Sequence, residues 1–99
     1  MAPLSVTLLD GFANDLVVVR VDGKEVFRKD GVTTKLLLGC ADSVETQAPP
    51  GTIRVEIALP ARNLTRAIPV RVPEEAHLGV SIEDGGIAHR VSARPFGCA

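Results

Sequence analysis

Residues 53–72 constrain the fold more than any other stretch. Ile53, Val55, Ile57 and Leu59 alternate with Arg54, Glu56 and Ala58, and Leu64, Ile68, Val70 and Val72 continue the alternation after a break. Arg66 departs from the pattern. A period of two over this length predicts two strands with one buried face each. The break supplies the loop, either Pro60-Ala61-Arg62-Asn63 alone or a longer stretch reaching Thr65. Pairing Ile57 with Ile68 sets Val55 opposite Val70 and Ile53 opposite Val72. A shift of two residues keeps the same face inward, whereas a shift of one would bury Arg54 and Glu56.

The rest of the chain reads the same way. Residues 3–9 predict a first strand with Leu4, Val6 and Leu8 on one face, ended by Asp10-Gly11. Phe12, between that turn and Asn14-Asp15, is expected to plug the edge of the core. Residues 16–21 and 24–29 flank Asp22-Gly23, a hairpin signal. A two-residue turn pairs Val19 with Val26 and Arg20 with Glu25, offering an ion pair. A glycine bulge pairs Val19 with Phe27 instead. The run Leu16-Val17-Val18-Val19 predicts a strand covered on both faces, and Asp30-Gly31 closes the unit.

Residues 32–48 lack a clear period. Leu36-Leu37-Leu38 is apolar, Gly39 to Ser43 read as a turn, and Val44 to Gln47 as a short, polar edge strand stopped by Pro49-Pro50-Gly51. Pro69 removes a ladder donor, so its strand lies at an edge or is bulged. Residues 77–92 form a last hairpin turned by Asp84-Gly85, with Ile82 opposite Ile87, Val80 opposite His89 and Leu78 opposite Val91. Residues 93–99 read as a tail, either flexible or folded back with Phe96 as its anchor. One domain, 1–99, is therefore expected: a small antiparallel β-sandwich of seven or eight strands. It resembles the immunoglobulin-like sandwiches in general architecture, although Cys40 and Cys98 do not bracket a core tryptophan. That resemblance transfers no function.

Composition bears on function by exclusion. Apolar residues make up 45% of the chain, mostly Val, Leu and Ile, and a chain of this size buries about 65% of its unfolded surface, enough for one aliphatic core. Eleven basic residues against twelve acidic ones predict no nucleic-acid or anionic-membrane partner. Three aromatics, all Phe, disfavour sugar binding and base stacking. Two cysteines, one of them penultimate, allow one disulfide, but the plainer reading is two reduced thiols in a cytoplasmic protein.

The sequence carries no recognisable reactive constellation. His77 and His89 fall on opposite faces of one hairpin, so no metal is expected between them. His89 reads as a packed residue at the core edge and His77 as solvated. Serines 5, 43, 81 and 92 have no recognisable catalytic setting, and Ser81 lies about 13 Å from His77 along a strand. Asp10, Asn14 and Asp15 make a thin calcium loop. No catalytic residue, cofactor or metal is expected. The expectation is a non-catalytic protein–protein interaction or assembly module, whose partner is another protein or a second copy. The alternatives are a small-ligand-binding sandwich and, after that, a hydrolytic enzyme. The candidate interface is Leu36, Leu37, Leu38 and Cys40, for which the competing reading is core, together with the edge at Pro69.

Overall fold

The computed structural model describes residues 1–35, 37 and 39–97. These form β1 (Ala2–Leu8), β2 (Asp15–Val21), β3 (Lys24–Val32), β4 (Asp42–Ala48), β5 (Gly51–Leu59), a 3-10 turn (Pro60–Arg62), β6 (Leu64–Val72), β7 (His77–Glu83) and β8 (Gly86–Ser92). The strands make two four-stranded sheets, ordered β4-β1-β7-β8 and β3-β2-β5-β6. Hairpins join β2 to β3, β5 to β6 and β7 to β8. The other connections pass from one sheet to the other, so the sheets enclose a shared core in a sandwich-like arrangement.

The first sheet is mixed. β1 pairs with β4 antiparallel but with β7 parallel, Ser5 facing His77 and Leu8 facing Val80. This corrects the wholly antiparallel expectation. Alternation fixes which face of a strand is buried; it carries no information on the direction of a neighbour 70 residues away.

The central hairpin keeps its expected face and changes its register. Ile53 faces Val70, Val55 faces Ile68 and Ile57 faces Arg66, two residues from the expected pairing. The cause lies in the loop. Pro60–Arg62 form a tight 3-10 turn and Asn63 follows with a φ of 59°, so four residues reverse the chain and Leu59 meets Leu64. The longer loop reaching Thr65 is not used. Residues 53, 55, 57, 59, 68, 70 and 72 are all buried together.

In the β2–β3 hairpin both expected registers occur, one after the other. Arg20 faces Glu25 beside the turn, a bulge follows, and Val19 then faces Phe27. Asp22 and Gly23 have φ of 49° and 85°, the mirror-image turn that matches strand twist. The Arg20–Glu25 ion pair does not form: Arg20 binds Glu56 at 2.6 Å, and Glu25 binds Arg28 at 2.9 Å. Asp30-Gly31 does not end the strand, which runs on to a buried Val32. Val17, Val18 and Val19 are buried on both faces, as their continuous run implies.

The last hairpin has the expected register throughout. Phe12 is in the core. Beside it, Gly11 has a φ of 88°, and a Cβ there would lie 2.2 Å from the Ile82 carbonyl oxygen, so only glycine fits. The tail returns over the sheet: a Cβ on Gly79 would come within 2.9 Å of the Phe96 ring, and Arg90 stacks on that ring at 5.1 Å.

Candidate functional site

The connection between β3 and β4 carries the interface residues expected from sequence. Its base is fastened. Thr34 Oγ1 donates to Leu9 O at 2.7 Å and accepts from the Phe12 N–H at 3.1 Å, while the Thr34 N–H donates to Phe12 O. Above this, Lys35 and Cys40 form an isolated antiparallel bridge, with the Lys35 and Gly39 N–H groups donating to Cys40 O and Lys35 O. Leu37 sits at the tip and is 93% exposed, so it is not core. Cys40 is 8% exposed and lies at the base. Leu36 and Leu38 lie outside the described residues. Cys40 is disulfide-bonded, which corrects the expectation of two reduced thiols; Cys98 also lies outside the described residues.

Pro69 is far from that tip in the fold. It lies on β6, an edge strand, where its pairing with Arg54 continues without a bulge. The structure therefore does not bring Pro69 and the Leu37 turn into one surface: β3 and β4 are the edges on one side of the sandwich, β6 and β8 those on the other.

The thin calcium loop is differently engaged. Asp15 is 6% exposed, and its carboxylate is taken by Arg62, whose Nε and Nη2 donate to its two oxygens at 2.7 and 2.8 Å. The Ala13 N–H donates to it as well. Two parallel bonds of this kind lock the 60–63 loop against the start of β2. Among the described residues no group of three or more His, Cys, Asp or Glu side chains converges as a metal site.

A row of polar residues on the outer face of the mixed sheet escaped the sequence reading. Ser5 of β1 stands between Glu45 of β4 and His77 of β7, each directly opposite it in register. Ser5 Oγ and His77 Nδ1 are 3.2 Å apart. The row lines a cleft of about 420 Å³ with Pro3, Gln47 and Ala76. His77, expected to be solvated, is half-buried and hydrogen-bonded to Ser5. Serine and histidine so placed form a dyad. Among the described residues no carboxylate bonds to His77, so the orienting group of a hydrolytic triad is missing from it.

His89 is exposed, in contrast to the packed position expected for it. It shares the inward side of β8 with Ile87 and Val91, but at an open edge. Desolvation there, with the Arg66 guanidinium adding repulsion, lowers its pKa below the ordinary imidazole value. Arg66, the residue that broke the alternation, follows the inward parity of β6, and its Nη1 donates to Ile87 O of the other sheet at 2.8 Å. On the opposite side Lys29 and Asp42 join β3 to β4 at 2.7 Å. Burial pushes the Asp42 carboxyl up, but bonds from Lys29 and the Ser43 N–H outweigh it and hold the group below its usual range. Among the described residues no helix is long and apolar enough to cross a membrane. No family model, curated protein or solved structure matches this chain.

Proposed function

We propose that this chain is a non-catalytic protein–protein interaction or assembly module on a sandwich that is immunoglobulin-like in general architecture. Leu37 carries the reading. A large apolar side chain stands in water at the tip of a turn whose base is held by backbone and threonine bonds. Leucines precede and follow it in the chain. Covering such a side chain with a partner removes apolar surface from water without first having to order the base of the turn. Balanced charge supports a protein partner over nucleic acid or an anionic membrane. The cytoplasmic location expected from the cysteine count meets a contrary observation: Cys40 is disulfide-bonded, and such bonds are rare in the cytosol.

The test is Leu37→Lys, assayed against whatever co-purifies with the protein from its native host. Loss of the partner with an unchanged melting curve is expected. An unfolded variant, or a partner retained at full affinity, would overturn the reading. The cleft beside Ser5, His77 and Glu45 supports a second reading, a site for a small polar ligand. Amide shifts confined to those three residues on titration with a polar fragment set are its expected signature. Shifts scattered over the surface, or none at millimolar fragment, would remove it.

A further inference from the structure

The four edge strands differ in how they meet a neighbour. β3 carries Lys24, Glu25, Arg28, Lys29 and Asp30 and two irregularities in its pairing. β4 carries Asp42 and Glu45 and runs into Pro49-Pro50. β6 has Pro69 in its second half. Charges, bulges and prolines keep a further strand from adding to an edge. β8 has no proline, pairs with β7 without interruption from Gly86 to Ser92, and bears Arg90 as its one fixed charge.

The free groups of that edge can be assigned. In an antiparallel ladder alternate residues exchange both backbone bonds with their partner, and the residues between them turn N–H and C=O away. Ile87 O accepts its bond from Arg66 of the other sheet. Ile87, His89 and Val91 are therefore the outward-turned set. The charges around β8 are also polarised along it. Glu83 and Asp84 stand at the turn end, Arg90 and Arg94 at the other, and none of the four has an ion-pair partner among the described residues. A second β8 laid antiparallel sets acidic end against basic end; a parallel one sets like against like.

We propose that β8 is a self-assembly edge, on which a second copy of this chain docks its own β8 antiparallel about a two-fold axis at His89. In this register Ile87 lies opposite the second copy's Val91, on the core side of the sheet, and Arg94, in the bend after β8, comes to the end that carries the second copy's Asp84 turn. The two His89 residues exchange both backbone bonds, and each Ile87–Val91 pair exchanges two more, about six in all. Ile87 O keeps its bond from Arg66, because a carbonyl oxygen accepts two. The product is one continuous eight-stranded sheet, and the pairing is isologous, so it closes at two copies. The β8 edge lies across the sandwich from Leu37 and acts independently of it.

Light scattering after size exclusion, from about 10 μM to about 1 mM protein, reads the mass directly. The expected mass at the upper end is twice 10.4 kDa; a monomer throughout overturns the proposal. Arg94→Glu, in the exposed tail, sets like charges face to face and should raise the dissociation constant about tenfold. Asp84→Asn added to it should recover part of that loss. His89→Pro removes the central outward N–H and should give a folded monomer. If His89→Pro does not fold, Arg94→Glu decides: an unchanged dissociation constant overturns the β8 register. A dimer abolished by Leu37→Lys would assign the contact to the tip and likewise overturn it.

Discussion

Val70→Asp tests the face assignment on which the fold rests. Val70 is 0% exposed, lies opposite Ile53 and belongs to the shared core of the two sheets. Removing a fully buried valine costs about 1.5–3 kcal/mol. A carboxyl in its place has no hydrogen-bond partner among the aliphatic side chains and adds at least about 2 kcal/mol, more if it stays ionised. The sum, roughly 4–5 kcal/mol, approaches the whole stability of an ordinary domain, about 5–15 kcal/mol. At about 4–8 °C per kcal/mol for a chain of this length, the melting temperature should fall by at least about 15 °C, or folding should fail.

The assay is thermal unfolding by circular dichroism with Thr65→Asp beside it. Thr65 is exposed on the same strand and opposite Ala58, so its substitution should shift the midpoint by no more than about 4 °C. The pair separates burial from any general effect of an added negative charge on β6. A Val70→Asp protein melting within about 5 °C of the parent would show that Val70 does not face the core. The assignment does not depend on hairpin register, because the observed pairing and one two residues away bury the same face. Only a shift by one would turn Val70 outward.

The remaining predictions concern the surface and the edges of the sheets. Because the folded pKa of His89 lies below that of the unfolded chain, the unfolded state takes up its proton first as pH falls. Stability from this source is complete above the ordinary value of 6.5, declines as pH drops from there toward the folded pKa, and then levels. Denaturant midpoints compared between the parent and His89→Gln should differ in slope only over that interval; parallel curves would refute the assignment. Leu37→Lys should release a co-purifying partner and leave the melting curve in place. β8 variants should change mass, and polar fragments should shift the amides of Ser5, Glu45 and His77.

Much of the fold was legible because it is written locally. The Asp22-Gly23 and Asp84-Gly85 turns and the alternating runs beside them specify two hairpins; strand by strand they also specify the buried face. Where local rules compete, the chain uses both: the β2–β3 pairing starts in one register and continues in the other, with Val26 accommodated at the bulge. The central register was not legible to the residue, since a two-residue shift leaves the hydrophobic match unchanged. The 3-10 geometry of Pro60–Arg62 decided it. Arg66 looked like an error in a pattern. It is a residue of inward parity near the open end of its strand, long enough to reach the opposite sheet.

The candidate sites divide along the same line. Leu37 was visible because an apolar run without a period stands out from its neighbours, although core was the competing reading and only the fastened base and exposed tip separate the two. The Glu45–Ser5–His77 row was invisible for a physical reason. Its members come from three strands, and Ser5 meets His77 only because β1 and β7 run parallel, 72 residues apart. Parallel neighbours need a crossover rather than a tight turn. No hairpin signal therefore announces the pairing, and the alternation of each strand would be the same beside any other partner. What alternation does provide is the face: Ser5, Glu45 and His77 each occupy the outward parity of a strand whose inward residues are buried. Strand order then turns three separate outward-facing polar residues into one cleft. In a sandwich of this size, polar outward residues on non-consecutive strands are thus where a site stays hidden from sequence, and the register of the parallel pair is the fact that exposes it.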